Sequence, residues 1–218
     1  MLSELQQQLN NIYQIGSDCD VMDFLITDPQ LAKYIGGDAM LPASCETLLV
    51  SQDDDGLAVS LFLDRDMLDR LESANPLDRL RAEQLDDLWK VLEGISHFNC
   101  VVWKAAEDRE VKLLELELQA EIDKFVSTLQ LALRQGNTDI LNGLHGWLFD
   151  NVSFRDDLDD EQLHRYRAAN NYAARYCRGL RQRLIDDDQL ALSELRRFYR
   201  LQLTDKISHI HARAWSSP

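Results

Sequence analysis

The spacing of apolar residues predicts helices over most of the chain, beginning with its first residues. In residues 2–14, leucine and isoleucine recur every three or four positions, which predicts an amphipathic helix. Asp28 and Pro29 fit the start of a second helix, and Gly36 and Gly37 fit its end. Both helices therefore have recognisable limits in the sequence.

Strand-forming residues are concentrated in three short runs. Two of them, at 46–52 and 57–63, flank the sequence DDDG, in which Asp55 and Gly56 favour the positive φ angles of a tight hairpin turn. The third, FNCVVWKA at 98–105, is rich in β-branched and aromatic residues. The sequence therefore predicts a hairpin and one further strand.

The sequence LLELELQAEIDKF, residues 113–125, has features of both a strand and a helix. Its first half alternates apolar and acidic residues, but from Val111 onward the apolar residues continue at helical spacing for about six turns. Helices of that length are common and strands are not, so the pattern favours a helix. On this helix Glu117 and Glu121 share one side beside Lys124, and we expect the carboxylates to be solvated.

The predicted fold class is α+β and mostly helical. A small antiparallel sheet, made of the hairpin 46–63 and the third strand, packs with helices. Two long helical patterns, at 159–185 and 188–212, predict a C-terminal antiparallel helical hairpin. We expect an acidic α+β domain in residues 1–150 and a helical-hairpin subdomain in residues 151–218, which could also be part of a single domain.

The distribution of charge limits the classes of partner. Residues 1–150 hold 28 acidic and 11 basic side chains, a net charge of −17, whereas residues 151–218 hold 10 and 12, a net charge of +2. The net charge of −15 for the whole chain opposes nucleic-acid binding, because attraction to phosphate supplies much of that affinity. This argument does not apply locally to the basic C-terminal part.

The remaining composition points to a cytoplasmic protein without a membrane partner. No apolar run is long enough to span a membrane, and the N-terminal residues do not resemble a secretory signal. The four cysteines lack CxxC spacing, which argues against a zinc ribbon and favours reduced thiols. We expect no cofactor.

The first candidate site is a metal-dependent or hydrolytic centre built from His97, Glu117 and Glu121. Glu93 would join it if its helix continued through Gly94, because histidine and carboxylate one turn apart aim at one point. Gly94 is expected to end that helix, which starts after Pro76, and no HExxH motif or nucleophile elbow is present. We therefore expect no metal, and expect His97 to cap a helix end or border the sheet.

The second candidate is a basic stripe on the predicted helix 159–185. Its members recur at helical spacing opposite the apolar face, and arginine outnumbers acidic residues among them. Such a stripe can contact phosphates, dock on an acidic surface of the same or another chain, or simply be solvated. The predicted binding residues of the basic stripe are His164, Arg167, Asn171, Arg175 and Arg178.

Two further polar features lie in the predicted hairpin. Asn170 interrupts an apolar helix face, where it fixes register or oligomeric state or meets a buried polar partner. His209 and His211, two residues apart, face different ways on a helix, so we expect no shared metal. The second hairpin helix is apolar on more than one side, which predicts deep packing or a homodimer.

These observations together favour a non-catalytic protein that acts by binding other proteins or itself, in protein–protein interaction or regulation. They are the missing catalytic motifs, the uneven charge and the surplus apolar surface of the hairpin. One alternative is a nucleic-acid-associated protein that uses the basic stripe. A second alternative is a metal-dependent or hydrolytic enzyme around His97 and Glu121.

Overall fold

The chain is mostly helical, with one small sheet packed against helices, so the predicted α+β class is confirmed. The predicted hairpin strands are also confirmed, and Asp55 of the predicted turn lies outside the described residues. The computed structural model describes residues 1–16, 18–37, 40, 44–53, 56–154, 157–186 and 188–214.

The chain forms two compact units. The first unit contains residues 1–10 and 15–110, and the second contains residues 11–14 and 111–218. The predicted limit at residue 150 falls inside the second unit, so a separately folding 151–218 segment stays a prediction. The two units differ in net charge. The first holds 22 acidic and 8 basic side chains, a net charge of −14, and the second holds 16 acidic and 15 basic side chains, a net charge of −1.

The sheet of the first unit has three strands with β3 in the centre, in the order β1-β3-β2. Strands β2 and β3 pair antiparallel, with Leu48 opposite Leu61, whereas β1 runs parallel to β3. The sheet is therefore mixed, and the predicted antiparallel sheet is correct only for the hairpin. The strands are β1 (Leu25–Ile26), β2 (Glu46–Asp53) and β3 (Gly56–Leu63).

Side-chain caps fix the starts of two helices in the first unit. The carboxylate of Asp28 accepts from the backbone of Gln30, and that of Asp64 accepts from the backbone of Met67. The helices are α1 (Leu2–Tyr13), whose last residues belong to the second unit, α2 (Pro29–Gly36), α3 (Arg65–Ser73) and α4 (Leu85–Ala106).

The strand predicted at 98–105 is wrong, because these residues belong to helix α4. The local sequence has high strand propensity, but its apolar residues extend a helical series that is buried against β2 and β3. Tertiary burial of this face outweighs the propensity of the individual residues. Members of the buried series are Leu88, Val91, Leu92, Ile95, Phe98 and Val101.

The predicted limits of the preceding helix are also wrong. Helix α4 begins at Leu85, after a short 3-10 turn, and it continues through Gly94. Gly94 is needed inside the helix because the sheet approaches it closely. A Cβ atom at Gly94 would lie 2.8 Å from Leu61 Cδ1 and 3.0 Å from Glu46 Cγ. The glycine therefore permits helix–sheet contact and does not end the helix.

The second unit consists of helices, as the sequence predicts. Its two longest helices, at 113–135 and 160–186, are continuous and pack against each other. Gly136 ends the first of them in the left-handed conformation. The helices are α5 (Leu113–Gln135), α6 (Thr138–His145), the π-helical turn Gly146–Asp150, α7 (Asp160–Asp186), α8 (Asp188–Tyr199) and α9 (Leu203–Ala214).

The second arm of the predicted helical hairpin is divided into α8 and α9 by a break at residues 200–202. Arg200, at the break, donates to the carbonyl oxygen of Tyr13 at 3.0 Å. After the break, α9 packs on α7 and brings Lys206 to Glu115 of α5. The two-sided apolar pattern at 188–212 is therefore satisfied by two shorter helices that both pack on α7, and α9 also reaches α5 through Lys206.

Replacement of Gly94 by alanine tests the close approach of the sheet. Leu61 is fully buried in the central strand and cannot move aside freely, so we expect Gly94→Ala to lower the free energy of unfolding by about 1–3 kcal/mol. Gly179 is the matched control, since it lies inside α7 with nothing within 4 Å of an added Cβ. Gly179→Ala should be neutral or stabilise by up to about 1 kcal/mol. Urea unfolding measures both, and equal effects would contradict the steric explanation.

Candidate functional site

The basic stripe lies on one side of helix α7. All five predicted members, from His164 to Arg178, are exposed, whereas the opposite face is buried and packs on α5. The helix is 27 residues long and continuous through the stripe, so it holds the side chains in a fixed series. Buried residues of the opposite face are Ala169, Asn170, Ala173, Cys177, Leu180 and Leu184.

The arginines of the basic stripe are open to a partner. Within the described part of the chain, Arg167, Arg175 and Arg178 form no ion pair, and Arg167 only places its guanidinium 5.9 Å from the centre of the Phe154 ring. Two other arginines of α7 have structural contacts. Arg165 Nε lies 4.0 Å from Glu117 Oε1, and Arg181 donates to the Leu141 carbonyl oxygen at 3.0 Å.

Asn170 contributes to packing on the buried face of α7. Its Nδ2 atom donates to the carbonyl oxygen of Phe149 at 3.1 Å, and only 8% of the residue is exposed. Phe149 belongs to the π-helical turn near the end of this helical segment, where the last carbonyl groups lack intrahelical donors. Of the two roles considered from the sequence, the structure shows Asn170 opposite a buried polar partner.

His97 lies in the middle of helix α4 and does not cap a helix end. Because the helix continues through Gly94, Glu93 and His97 are one turn apart on the same face. Glu46, the first residue of β2, reaches this face, and its Oε1 atom lies 3.8 Å from His97 Nδ1. The sequence could not identify Glu46, since its position depends on the register of the sheet against the helix.

Glu117 and Glu121 belong to helix α5 of the second unit, and each lies beside a cation. Glu117 is 8% exposed and faces Arg165, whereas Glu121 accepts from Lys124 at 2.7 Å, as the spacing of three residues predicts. The expected solvation of the carboxylates in 113–125 is wrong. Glu115, Glu117 and Asp123 are all buried.

A buried polar network explains why these acidic residues lie inside the second unit. Lys206 of α9 is 1% exposed, and its Nζ atom lies 3.1 Å from Glu115 Oε1 and 3.3 Å from Gln119 Oε1. Gln119 Nε2 in turn donates to the Tyr13 hydroxyl at 3.1 Å and to Asp123 Oδ1 at 2.9 Å. The network joins residues from three segments of the unit.

Aromatic rings enclose the network and contact its charged groups. The Lys206 ammonium group lies 5.5 Å from the centre of the Phe198 ring and 5.6 Å from that of Tyr199, within cation–π range. Tyr199 stacks on Tyr13, whose hydroxyl donates to Asp123. Burial, and then the adjacent Asp123 carboxylate, raise the pKa of Tyr13 well above its usual value.

The two remaining sequence candidates have separate local contacts. His209 Nε2 lies 2.6 Å from Glu194 Oε1, whereas His211 contacts the ring of Tyr172 edge-on.

Cys177 is fully buried, and burial followed by the charges of Glu121 and Asp123 raises the pKa of its thiol. A buried thiol of this kind is a poor nucleophile at neutral pH.

Replacing Lys206 tests whether the network stabilises the second unit. Lys206→Met leaves Glu115 buried without its ammonium partner, so we expect a loss of about 3–5 kcal/mol in the free energy of unfolding. The double variant Lys206→Met/Glu115→Leu removes both charges and should regain much of that loss. Asp86→Asn, which breaks an exposed pair with Lys90, is the control and should have little effect. A Lys206→Met variant as stable as the control would contradict the network's role.

The raised pKa of Tyr13 predicts a loss of stability at alkaline pH. The unfolded chain releases this proton near pH ~10, whereas the folded protein retains it, so stability is complete below that pH and falls above it. Between about pH 10 and 11, wild type should lose about 1 kcal/mol more than Tyr13→Phe, with a slope that rises towards about 1.4 kcal/mol per pH unit. Tyr34→Phe, at an exposed tyrosine, is the matched control. Urea unfolding across this pH range measures the slopes, and identical slopes for wild type and Tyr13→Phe would contradict the prediction.

Comparison with known proteins leaves function to be argued from the geometry. No protein-family model matches the chain, and searches of curated proteins and of solved structures likewise find no match. Of the helices in the described ranges, none is both long and apolar enough to cross a membrane. The open basic stripe and the group around His97 are thus the two arrangements from which a function can be argued.

Proposed function

We propose that the protein acts by binding other proteins, in a regulatory role, and that the basic stripe of α7 docks on an acidic surface of the partner. The observation that carries this proposal is the exposure of Arg167, Arg175 and Arg178 without a carboxylate partner in the described residues. A guanidinium group is suited to bidentate contact with a carboxylate, and an uncommitted one loses no existing ion pair on binding.

The rigidity of α7 supports a specific contact. Arg167 and Arg178 are eleven residues apart, which corresponds to about 16 Å along a helix. Because the opposite face is packed on α5, the backbone of α7 is already ordered before binding. A partner with carboxylates at matching intervals would engage several arginines with little further loss of backbone entropy.

A second copy of this chain is the first partner to consider. The first unit has a net charge of −14, whereas the second unit carries the basic stripe and is almost neutral. Docking of the stripe of one copy on acidic residues of another would therefore join complementary charges. A homodimer is included in the proposal on this ground.

Protein is favoured over nucleic acid by the charge of the whole chain. Nucleic acids carry charged phosphates along their whole length, so a chain of net charge −15 repels them more strongly than a protein whose carboxylates are confined to one patch. Binding to nucleic acid through the same arginines is the alternative. Within the proposal the protein is cytoplasmic, which agrees with the reduced state of its four cysteines.

Charge reversal on the stripe tests the proposal. We expect Arg167→Glu/Arg175→Glu/Arg178→Glu to weaken binding to an acidic protein surface at least tenfold, since each arginine would be replaced by a like charge. Sedimentation velocity measures self-association, and fluorescence anisotropy measures binding of a labelled polyglutamate peptide. A labelled oligonucleotide of equal length is titrated in parallel over a range of salt concentrations.

A matched triple variant controls for net charge. Arg134, Arg183 and Arg197 are also exposed but lie outside the stripe, so their replacement by glutamate should leave binding almost unchanged. Equal loss in both triple variants would contradict a role specific to the stripe. Preference for the oligonucleotide, with affinity that falls steeply with salt, would support the nucleic-acid alternative. If wild type neither self-associates nor binds the peptide, the proposal is rejected.

A further inference from the structure

Three side chains that are common metal ligands meet on one face of helix α4 in the first unit. Glu93 and His97 are four residues apart on this helix, and Glu46 comes from the start of β2. One donor atom of each side chain lies within 4.8 Å of the donor atoms of the other two. The proposed docking function uses none of these residues, so this Glu46–Glu93–His97 cluster requires its own explanation.

Two features of the backbone hold the cluster together. The unbroken α4 helix aligns Glu93 with His97, and the absence of a Cβ atom at Gly94 admits the side chain of Glu46 between them. A Cβ atom at this position would lie 3.0 Å from Glu46 Cγ and 3.2 Å from Glu46 Oε1. The donors are therefore presented by a helix and a paired strand, which position side chains more firmly than loops do.

The distances suit a small coordinated cation. His97 Nδ1 and Glu46 Oε1 are 3.8 Å apart. Two donors bound to the same tetrahedral Zn²⁺ at ordinary distances lie about 3.4 Å apart. Bringing all three donors to that spacing needs shifts of roughly an ångström or less per side chain, and the rotatable bonds of the two glutamates can supply these shifts.

The charges also favour a divalent cation. Two carboxylates at this separation repel each other, and the repulsion is stronger in a partly buried site than in water. A divalent ion would neutralise both carboxylates and bind the imidazole of His97 in its neutral form. His97 is 8% exposed, so the ion would lie at the edge of the core, where water competes less for its coordination.

The donor set indicates which ion binds. Mg²⁺ and Ca²⁺ prefer oxygen ligands alone, whereas Zn²⁺ readily combines a histidine nitrogen with carboxylate oxygens. Within the described residues, the cluster contains no fourth histidine, cysteine or carboxylate. Three protein ligands and one position for water form the open coordination found in zinc sites that exchange ligands.

We infer that Glu46, Glu93 and His97 bind a divalent transition-metal ion of the Zn²⁺ class, with water as the fourth ligand. The ion links the start of β2 to the middle of α4, and therefore stabilises the first unit. Glu46 and Glu93 supply oxygen ligands and His97 supplies a nitrogen ligand.

Equilibrium dialysis of the full chain against Zn²⁺, after removal of metal with a chelator, tests this inference. Wild type should retain one equivalent of zinc per chain. We expect Glu46→Gln, Glu93→Gln and His97→Gln each to weaken zinc binding at least about tenfold, since each removes one of three ligands. Circular dichroism confirms that the variants are folded.

Two control variants separate this site from other zinc-binding groups. Cys45→Ser removes a thiol next to Glu46 in the sequence, and Glu72→Gln removes an exposed carboxylate on α3. Both should bind zinc as wild type does. Loss of zinc in Cys45→Ser together with retention in His97→Gln would overturn the assignment, as would the absence of a retained equivalent in wild type.

Cobalt provides a readout that does not depend on the variants folding. Co²⁺ bound to wild type through one nitrogen and several oxygens in a four-coordinate site should give a visible absorption band, which Zn²⁺ should abolish by displacement. Zinc should also raise the melting temperature of wild type, because an ion that binds only the folded state stabilises it. No cobalt band and no shift in melting temperature would overturn the inference.

Discussion

Transfer of a lysine ammonium group from water to a protein interior costs several kcal/mol of free energy, and a carboxylate and further polar groups must offset this cost. Lys206 is 1% exposed, so the second unit must supply partners that offset this cost. Glu115 supplies the charge, Gln119 supplies a further acceptor, and the rings of Phe198 and Tyr199 enclose the ammonium group. These contacts tie α9 to α5 at Lys206.

The same constraint distinguishes structural charges from charges available for binding. Arg165 and Lys124 each lie beside a carboxylate of α5 and are largely buried. The arginines of the basic stripe have no such partner in the described residues, and water solvates them. Arg165 and the arginines of the basic stripe lie on the same helix, α7, so composition alone cannot separate them. Burial and pairing in the folded unit make the distinction.

Much of the fold could be predicted from the sequence, because periodicity and caps are local signals. The hairpin strands, the helix after Val111 and the exposed face of α7 all follow from residue spacing. The strand at 98–105 could not be excluded, since its β-branched residues form a helix only when they pack on the sheet.

The candidate sites were less accessible to sequence reasoning. Gly94 has the local signature of a helix end, and only the close approach of Leu61 explains its place inside α4. Because α4 continues through Gly94, Glu93 and His97 lie one turn apart on the same face. Glu46 carries no recognisable signal, because its approach depends on how the sheet meets the helix. Lys206 does leave a signal, since it is a single lysine near Leu203, Ile207 and Ile210, where burial requires an acidic partner.

The two proposed activities depend on charge in different ways, and they are therefore independent. A bound divalent ion would change the net charge of the first unit from −14 only to −12, so the unit would still be strongly acidic. At physiological ionic strength charges act over about 8 Å, so the ion would be felt mainly by groups beside the Glu46–Glu93–His97 cluster, and the remaining acidic surface would still attract a partner's arginines. Glu46 and Glu93 are half-buried and contribute little to an exposed acidic surface. Metal binding is therefore a matter of local coordination and stability, whereas docking of the basic stripe is governed by carboxylates at the surface.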